Sequence, residues 1–276
     1  MNASQPAQLP GTAFPGYEVV PEGARAGLII VHGIAEHGGR YHHAADALAA
    51  NAIACFVYDQ RGHGQSSGPR AHVDDFSCFA QDLQQVGQAI RRRFPALPLF
   101  VWGHSMGSVV VLRAAVEGLS WARGVITTGC AIDAMPKLDG AAGAILRLAS
   151  ALLPRLKISL RIDATVLTQV EAEQRAHMSD PLVPRSASLR LLYGFALACK
   201  RGREQASLIT LPWLAVHGEA DKVCPPSGST SLIAVLGSSD KELVTYPALL
   251  HEVHNENLPA RAAVFGLMTH WILNRV

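Results

Sequence analysis

The sequence predicts an α/β protein with a mostly parallel central sheet, helices on both faces and a helical insertion. Hydrophobic residues make up 49% of its 276 residues and charged residues 17%, which is enough apolar side chain for a sizeable core. Short strand-like apolar runs alternate with helix-like segments, as in proteins whose parallel strands are joined by helices. This alternation stops within residues 132–207 and then resumes, so we expect the insertion there.

The predicted elements follow one another in a regular order. Strands are predicted at residues 27–31, 52–58, 99–102, 124–128, 212–217 and 242–246. Helices are predicted at residues 41–51, 76–94, 106–117 and 258–274. Within the insertion, residues 140–153, 165–177 and 186–200 are also typical of helices. We therefore expect a core formed by residues 1–131 and 208–276, and a helical cap or lid formed by residues 132–207.

Composition indicates the setting of the protein and its partners. The formal net charge is +2 and the longest basic run, at residues 91–93, lies in a predicted helix, so no nucleic-acid partner is expected. The cysteine count is odd, at five, and no C-x-x-C pair occurs, which favours free thiols in a cytoplasmic protein. Residues 2–21 are polar and rich in proline, unlike a signal peptide, and no apolar run is long enough to span a membrane. We expect a cytoplasmic protein, with peripheral contact to a membrane surface as an open alternative.

A G-x-S-x-G motif identifies a candidate nucleophile. Gly103-His104-Ser105-Met106-Gly107 follows a predicted strand directly and begins a predicted helix directly. This strand–turn–helix context holds a serine hydroxyl above the sheet, and the glycines allow neighbouring chain to pass close by. We therefore predict Ser105 as the nucleophile.

A second match to the same pattern, Gly64-Gln65-Ser66-Ser67-Gly68, offers a comparison. It lies several residues beyond the end of its predicted strand, inside a glycine-rich loop that a proline follows. A nucleophile on a sharp turn needs strand, turn and helix without a gap. We therefore interpret Ser66 as a loop residue.

A serine hydroxyl is a weak nucleophile unless a histidine removes its proton and a carboxylate orients that histidine. Asp221 lies on the loop just after the strand at 212–217, and His251 lies on the loop after the last strand. The order serine, acid, histidine is the one that accompanies this kind of serine turn. We predict Asp221 and His251 for these roles, with Glu219 and His254 as the alternatives.

No metal site is expected. The sequence H-E-V-H at residues 251–254 lacks the spacing of the H-E-x-x-H zinc motif. His37, His42 and His43 form a loose cluster, but no cysteine or carboxylate stands at ligand spacing beside them. The chemistry expected of Ser105 requires neither a metal nor an organic cofactor.

Two backbone N–H groups are expected to stabilise the negative oxygen that forms when serine attacks a carbonyl group. Met106 follows the candidate nucleophile and begins a helix, where N–H groups have no partner inside the helix. Ile34 follows the predicted strand that ends in His32-Gly33 and supplies the second donor. Each such donor typically contributes about 3 kcal/mol to transition-state stabilisation.

Four more segments each match a part of the sequence pattern of one protein family. They are H-G-I-A-E-H-G-G-R-Y at residues 32–41, D-Q-R-G-H-G-Q-S at 59–66, S-D-P-L at 179–182 and Y-P-A-L-L-H at 246–251. Together with the serine motif, these segments resemble the monoacylglycerol lipases and bacterial lysophospholipase-like hydrolases, which have the α/β-hydrolase fold. The last segment supports His251 over His254. Ser108 departs from the family pattern, since many members carry a second glycine there.

The resemblance implies a carboxylic ester hydrolase that cleaves monoacylglycerols or similar lipid monoesters, with a mobile helical cap over an acyl pocket. The expected partner is therefore a small-molecule ester or lipid, and the cap would touch a lipid interface. The apolar segment 140–153 would shelter the acyl chain through a set of leucines, namely Leu146, Leu148, Leu152 and Leu153.

Two further interpretations remain at this point. An acyltransferase or thioesterase would use the same three side chains with another acceptor or leaving group. A non-catalytic protein that binds a hydrophobic ligand would use the same scaffold, but such proteins usually lack one of the three residues. Epoxide hydrolases and dehalogenases carry an aspartate in place of Ser105, so the serine disfavours both.

Overall fold

A seven-stranded sheet lies at the centre of the fold in the computed structural model, which describes residues 7–276. From one edge to the other its strands are β1 (Gly16–Val19), β3 (Ile53–Tyr58), β2 (Ala26–Val31), β4 (Leu99–His104), β5 (Ala122–Thr128), β8 (Trp213–Gly218) and β9 (Lys241–Tyr246). All neighbours are parallel except β1 and β3, which are antiparallel. The loops that follow β2, β4, β8 and β9 therefore meet at one edge of the sheet.

Eight α-helices accompany this sheet within residues 7–276. They are α1 (His42–Ala49), α2 (Ser77–Arg93), α3 (Met106–Glu117), α4 (Gly140–Leu152), α5 (Glu171–Ser179), α6 (Leu189–Gln205), α7 (Ser227–Val235) and α8 (Ala260–Leu273). Short 3-10 helices occur at Gly38–Tyr41, Ala131–Asp133, Ala164–Val166, Ala206–Leu208 and Val253–Asn255.

Apolar side chains pack on both faces of the sheet. In β2, Ile29 and Val31 belong to a cluster that includes α2, α3 and α6, whereas Leu28 and Ile30 belong to a cluster that includes α1 and α8. Successive side chains of a strand point to opposite faces, so an unbroken apolar run such as β2 fits a sheet covered on both sides. The predicted α/β architecture with a mostly parallel sheet is confirmed.

The chain between β5 and β8 contains α4, α5 and α6 and a small antiparallel pair, β6 (Lys157–Ser159) and β7 (Ser186–Ser188). The predicted ends of the insertion, at residues 132 and 207, fall within two of the 3-10 helices. Helix α5 is shorter than the predicted helix at 165–177, because the chain around Val170 is extended. None of the helices in the described part of the chain combines the length and apolar character that a membrane crossing requires.

Two elements of the core were not predicted. The edge strand β1 has four half-buried residues, too few to show a period along the sequence. Helix α7 has the sequence S-G-S-T-S-L-I-A-V, in which serine, glycine and β-branched residues are weak helix formers. Both elements are stabilised by their contacts with the rest of the sheet. Their local sequences therefore did not predict them.

Candidate active site

Ser105 lies on the sharp turn between β4 and α3. Its backbone has φ 52° and ψ −123°, a region that side chains other than glycine seldom adopt. A Cβ atom on Gly103 would lie 2.5 Å from the carbonyl oxygen of Gly107, and one on Gly107 would lie 2.1 Å from that of Val31. Gly103 is therefore required for the turn to close on itself and Gly107 for it to pack against β2, and the turn leaves Ser105 partly exposed.

Asp221 and His251 meet at the same edge of the sheet, on the loops after β8 and β9. Asp221 Oδ2 lies 2.7 Å from His251 Nδ1, and both side chains are buried. Burial alone would lower the pKa of His251, but the hydrogen bond and the charge of Asp221 raise it above its ordinary value. Burial would likewise raise the pKa of Asp221, but hydrogen bonds from His217 and His251 hold it well below its ordinary value.

Ser105 and His251 line the same small cavity, which has a volume of about 50 Å³. No hydrogen bond joins their side chains among the contacts of residues 7–276. Such bonds are often long in enzymes without substrate and shorten when the substrate binds. Gly129 packs against the histidine ring, since a Cβ atom there would lie 2.9 Å from His251 Nδ1. The third residue, Asp221, reaches this cavity only through His251.

The two predicted N–H donors stand beside Ser105. Ile34 lines the cavity, and Met106 is the first residue of α3. Neither backbone N–H has an acceptor among the hydrogen bonds of the described residues. Gly33 packs directly on the serine, since a Cβ atom there would lie 3.0 Å from Ser105 Cβ, and the Glu36 carboxylate accepts the Gly33 N–H. A carboxylate thus holds the loop that presents Ile34.

A buried group of charges connects this loop to the loop of the histidine. Arg40 Nη1 lies 2.5 Å from Glu252 Oε1 and 3.6 Å from Glu36 Oε2. The Tyr41 hydroxyl donates to Glu36 Oε1 at 2.9 Å. Burial would raise the pKa of Glu252, but the charge and the hydrogen bonds of Arg40 hold it well below its ordinary value. Because Glu252 follows His251 in the chain, Arg40 fixes both loops relative to each other.

We expect Arg40→Met to reduce the free energy of unfolding by about 3–5 kcal/mol, because it leaves the buried Glu252 carboxylate without the cation that it bonds. Denaturant unfolding at neutral pH measures this loss. The exposed helical pair Glu171 and Arg175, 3.1 Å apart, provides the control. Arg175→Met should change stability by less than about 0.5 kcal/mol. Equal effects of the two substitutions would contradict the structural role assigned to Arg40.

The alternative candidates lie elsewhere. His254 is fully buried and stacks on Tyr41, with ring centroids 4.9 Å apart, and it makes no hydrogen bond to Asp221. Glu219 is exposed and accepts a hydrogen bond from the Thr245 hydroxyl at 2.6 Å. Ser66 lies in the loop after β3. The structure therefore brings His251 to Asp221, whereas the side chains of His254, Glu219 and Ser66 make no hydrogen bond to that pair among the described contacts.

The four leucines of segment 140–153 do not line the cavity at Ser105. Leu146 is half-buried, whereas the side chains of the other three point largely to solvent, with exposed fractions of 61% for Leu148, 70% for Leu152 and 56% for Leu153. The insertion instead contributes other residues to the cavity, and these are Ile162, Leu167 and His177. These residues were not predicted, because α4 has a strong apolar pattern along the sequence and the segment around Ile162 has none.

Several residues of the sequence segments that resemble the lipase family connect parts of the site. His37 Nε2 lies 2.7 Å from Asp180 Oδ2, which connects the loop after β2 to the insertion. Asp59 Oδ1 accepts the Gly38 N–H at 2.8 Å. Ser108, the departure from the family pattern, donates to the Ser105 carbonyl oxygen at 2.5 Å and accepts the Ala131 N–H at 3.1 Å. Its hydroxyl thus supports the serine turn.

The sequence profile of the family described as "Serine aminopeptidase, S33" matches residues 22–257. The chain belongs to this family. Curated relatives and a solved structure, described next, confirm the predicted relationship to the monoacylglycerol lipases and the predicted α/β-hydrolase fold. The predicted enzyme class, a carboxylic ester hydrolase, is confirmed as well.

Proteins named monoacylglycerol lipase or monoglyceride lipase align with almost the whole chain. A monoacylglycerol lipase from Mycolicibacterium smegmatis is 31% identical over 256 residues, which are 91% of this chain and 89% of the relative. The monoglyceride lipase of Homo sapiens is 33% identical over 262 residues, which are 92% of this chain and 85% of the relative. A soluble variant of the Saccharomyces cerevisiae monoglyceride lipase, solved with a substrate analog, has a TM-score of 0.85 at 25% identity, covering 100% of this chain and 97% of that chain.

Proposed function

We propose that this enzyme hydrolyses monoacylglycerols or similar lipid monoesters through Ser105, His251 and Asp221. The observation that carries the proposal is the 2.7 Å contact between Asp221 and His251 Nδ1, in a ring that shares a cavity with Ser105. Because Nδ1 is held by the carboxylate, Nε2 is the nitrogen left to accept the serine proton. The names of the full-length relatives support the choice of substrate.

In the proposed reaction, Ser105 Oγ attacks the ester carbonyl carbon while His251 Nε2 takes the hydroxyl proton. The negative oxygen accepts hydrogen bonds from the N–H groups of Ile34 and Met106. His251 gives its proton to the leaving alcohol, the carbon–oxygen bond breaks, and an acyl group remains on Ser105. A water molecule then attacks the acyl group, again with His251 as base, and releases the fatty acid. Asp221 stabilises the imidazolium of His251 both when the acyl-enzyme forms and when it is hydrolysed.

The insertion is proposed to act as a lid. A cavity of about 50 Å³ has room for one or two water molecules, not for an acyl chain with its glycerol group. Residues of the insertion, Ile162, Leu167 and His177, form part of its wall. Displacement of the segment 132–207 would enlarge the cavity, and the contact between His37 and Asp180 would hold the segment in its closed position.

The exposed surface formed by α4 and residues 153–161 is proposed to touch the lipid interface. Its apolar side chains point to solvent, and these are Ile145, Leu148, Leu152, Leu153, Leu156 and Ile158. Exposed basic side chains follow in the same stretch, and these are Arg155, Lys157 and Arg161. An apolar patch edged by cations suits the surface of an anionic membrane. The protein would then reach its substrate as a peripheral enzyme.

A fluorophosphonate probe and a substrate series test the proposed function together. We expect the probe to label Ser105, because it reacts with a serine activated by a histidine. Monoacylglycerols should be hydrolysed with release of free fatty acid, and an aminoacyl p-nitroanilide, the peptidase control, should remain intact. Absence of labelling in folded protein would contradict the proposal. Transfer of the acyl group to an added alcohol, without fatty acid release, would favour the acyltransferase interpretation instead.

A further inference from the structure

Asp221 accepts hydrogen bonds from two imidazole rings. Its Oδ2 atom lies 2.7 Å from His251 Nδ1 and 3.0 Å from His217 Nε2. Its Oδ1 atom accepts the backbone N–H groups of Val223 and Cys224 at 2.7 Å and 2.9 Å. His217 stands near the end of β8 and is fully buried. No role for this histidine was expected from its sequence context.

The surroundings of His217 fix the position of its proton. Nε2 faces two acceptors, the Asp221 carboxylate and the Cys224 carbonyl oxygen at 3.1 Å, so this nitrogen must donate. Nδ1 lies 2.7 Å from the hydroxyl oxygen of the buried Ser229 on α7. In the neutral ring, Ser229 donates to Nδ1 and strengthens the donation from Nε2. Burial raises the pKa of the Cys224 thiol, which therefore stays uncharged beside the carboxylate.

We propose that His217 is a positioning residue that acts on His251 through the shared oxygen of Asp221. This inference rests on the proposed triad. The Nε2–H of His217 holds the carboxylate in the orientation that His251 Nδ1 needs. It also withdraws electron density from Oδ2, which would otherwise stabilise a protonated His251 more strongly. His217 thus keeps a larger fraction of the base neutral and ready to accept the serine proton.

Other ionisable groups also face His251 and contribute to its protonation. The ring of His104, at the end of β4, lies 4.7 Å from the His251 ring between centroids. Glu36 acts from the loop after β2, and Glu252 and His254 act from the histidine's own loop. These groups persist in a variant that lacks only the His217 ring. A change in the pH profile of that variant therefore reports on His217.

The test is the pH dependence of kcat/KM for p-nitrophenyl ester hydrolysis. His217→Leu removes the N–H at similar volume, and we expect a loss of about tenfold at the plateau, as for other residues that orient a site through a second residue. The midpoint of the acid limb should move to higher pH, because Asp221 then favours the imidazolium more strongly. His217→Gln, whose amide can donate to Asp221, should return the midpoint toward the wild-type value. Ser229→Ala should move it in the same direction as His217→Leu, by less.

His72→Leu is the matched control, since His72 is a buried histidine whose polar partners, the Ser188 hydroxyl at 2.8 Å and Asp74 at 3.3 Å, lie outside the triad. It should leave the midpoint unchanged. A midpoint that is unchanged or lowered in His217→Leu overturns the inference even if the rate falls, because lost packing lowers the rate alike at every pH. If His217→Leu does not fold, an unshifted midpoint in Ser229→Ala overturns it. Failure of the proposed function would appear separately, as ester turnover retained by Ser105→Ala.

Discussion

Replacing Ser105 with alanine should reduce kcat for ester hydrolysis by a factor on the order of 10⁵ to 10⁶, because the remaining N–H donors and binding contacts cannot form an acyl-enzyme. The rate with a p-nitrophenyl ester measures the loss, and fluorophosphonate labelling should disappear with it. The fold should persist, since Ser105 is only partly buried and its backbone conformation suits alanine no worse than serine.

Ser66→Ala is the matched control for this substitution, because Ser66 lies in the second G-x-S-x-G match of the chain. In the structure its N–H donates to the His63 carbonyl oxygen at 2.9 Å within the loop after β3. We expect Ser66→Ala to retain activity within about twofold, as for a substitution outside the reacting groups. Loss of activity in Ser66→Ala together with its retention in Ser105→Ala would reverse the assignment of the nucleophile.

Asp221→Asn is expected to reduce kcat by a factor on the order of 10⁴, the size of the corresponding loss in a serine protease, because an amide no longer selects the productive tautomer of His251 or stabilises its cation. The acid limb of the pH profile should also move to lower pH. The sign follows from the structure, since Asp221 raises the pKa of His251 against the effect of burial. This shift is opposite in direction to that expected for His217→Leu.

Glu219→Gln is the control for the acid, because Glu219 lies two residues earlier on the same loop and was the alternative candidate. Its exposed carboxylate bonds only the Thr245 hydroxyl among the described hydrogen bonds. Activity and pH midpoint should both stay close to the wild-type values. A larger loss in Glu219→Gln than in Asp221→Asn would refute the assignment of the acid.

The elements that sequence analysis predicted well are those whose pattern is set by burial on both faces. Strand β2 was predicted at 27–31 and is observed at Ala26–Val31, with every residue buried. Strand β3 was predicted at 52–58 and is observed at Ile53–Tyr58, again with every residue buried. Helix α7 was missed, because its stability comes from contacts with the sheet and not from its own residues. Local pattern alone could not distinguish it from a loop.

The contact between Asp221 and His251 was within reach of the sequence, since both residues follow strands whose carboxyl ends share an edge of the sheet. The role inferred for His217 was not, because a histidine at the end of a buried strand is usually a packing residue. The cavity wall was out of reach for another reason. Ile162 and Leu167 lie on irregular chain of the insertion, and their position depends on how the insertion folds over the core.

The volume of only about 50 Å³ beside Ser105 affects every reagent that is used to count active molecules. If the insertion acts as the proposed lid, a bulky titrant reaches the hydroxyl mainly in those molecules whose insertion is displaced at that moment. Its apparent affinity is therefore weakened in proportion to how seldom this occurs. Detergent micelles that favour the displaced form would accelerate labelling while the intrinsic reactivity of the serine stays constant.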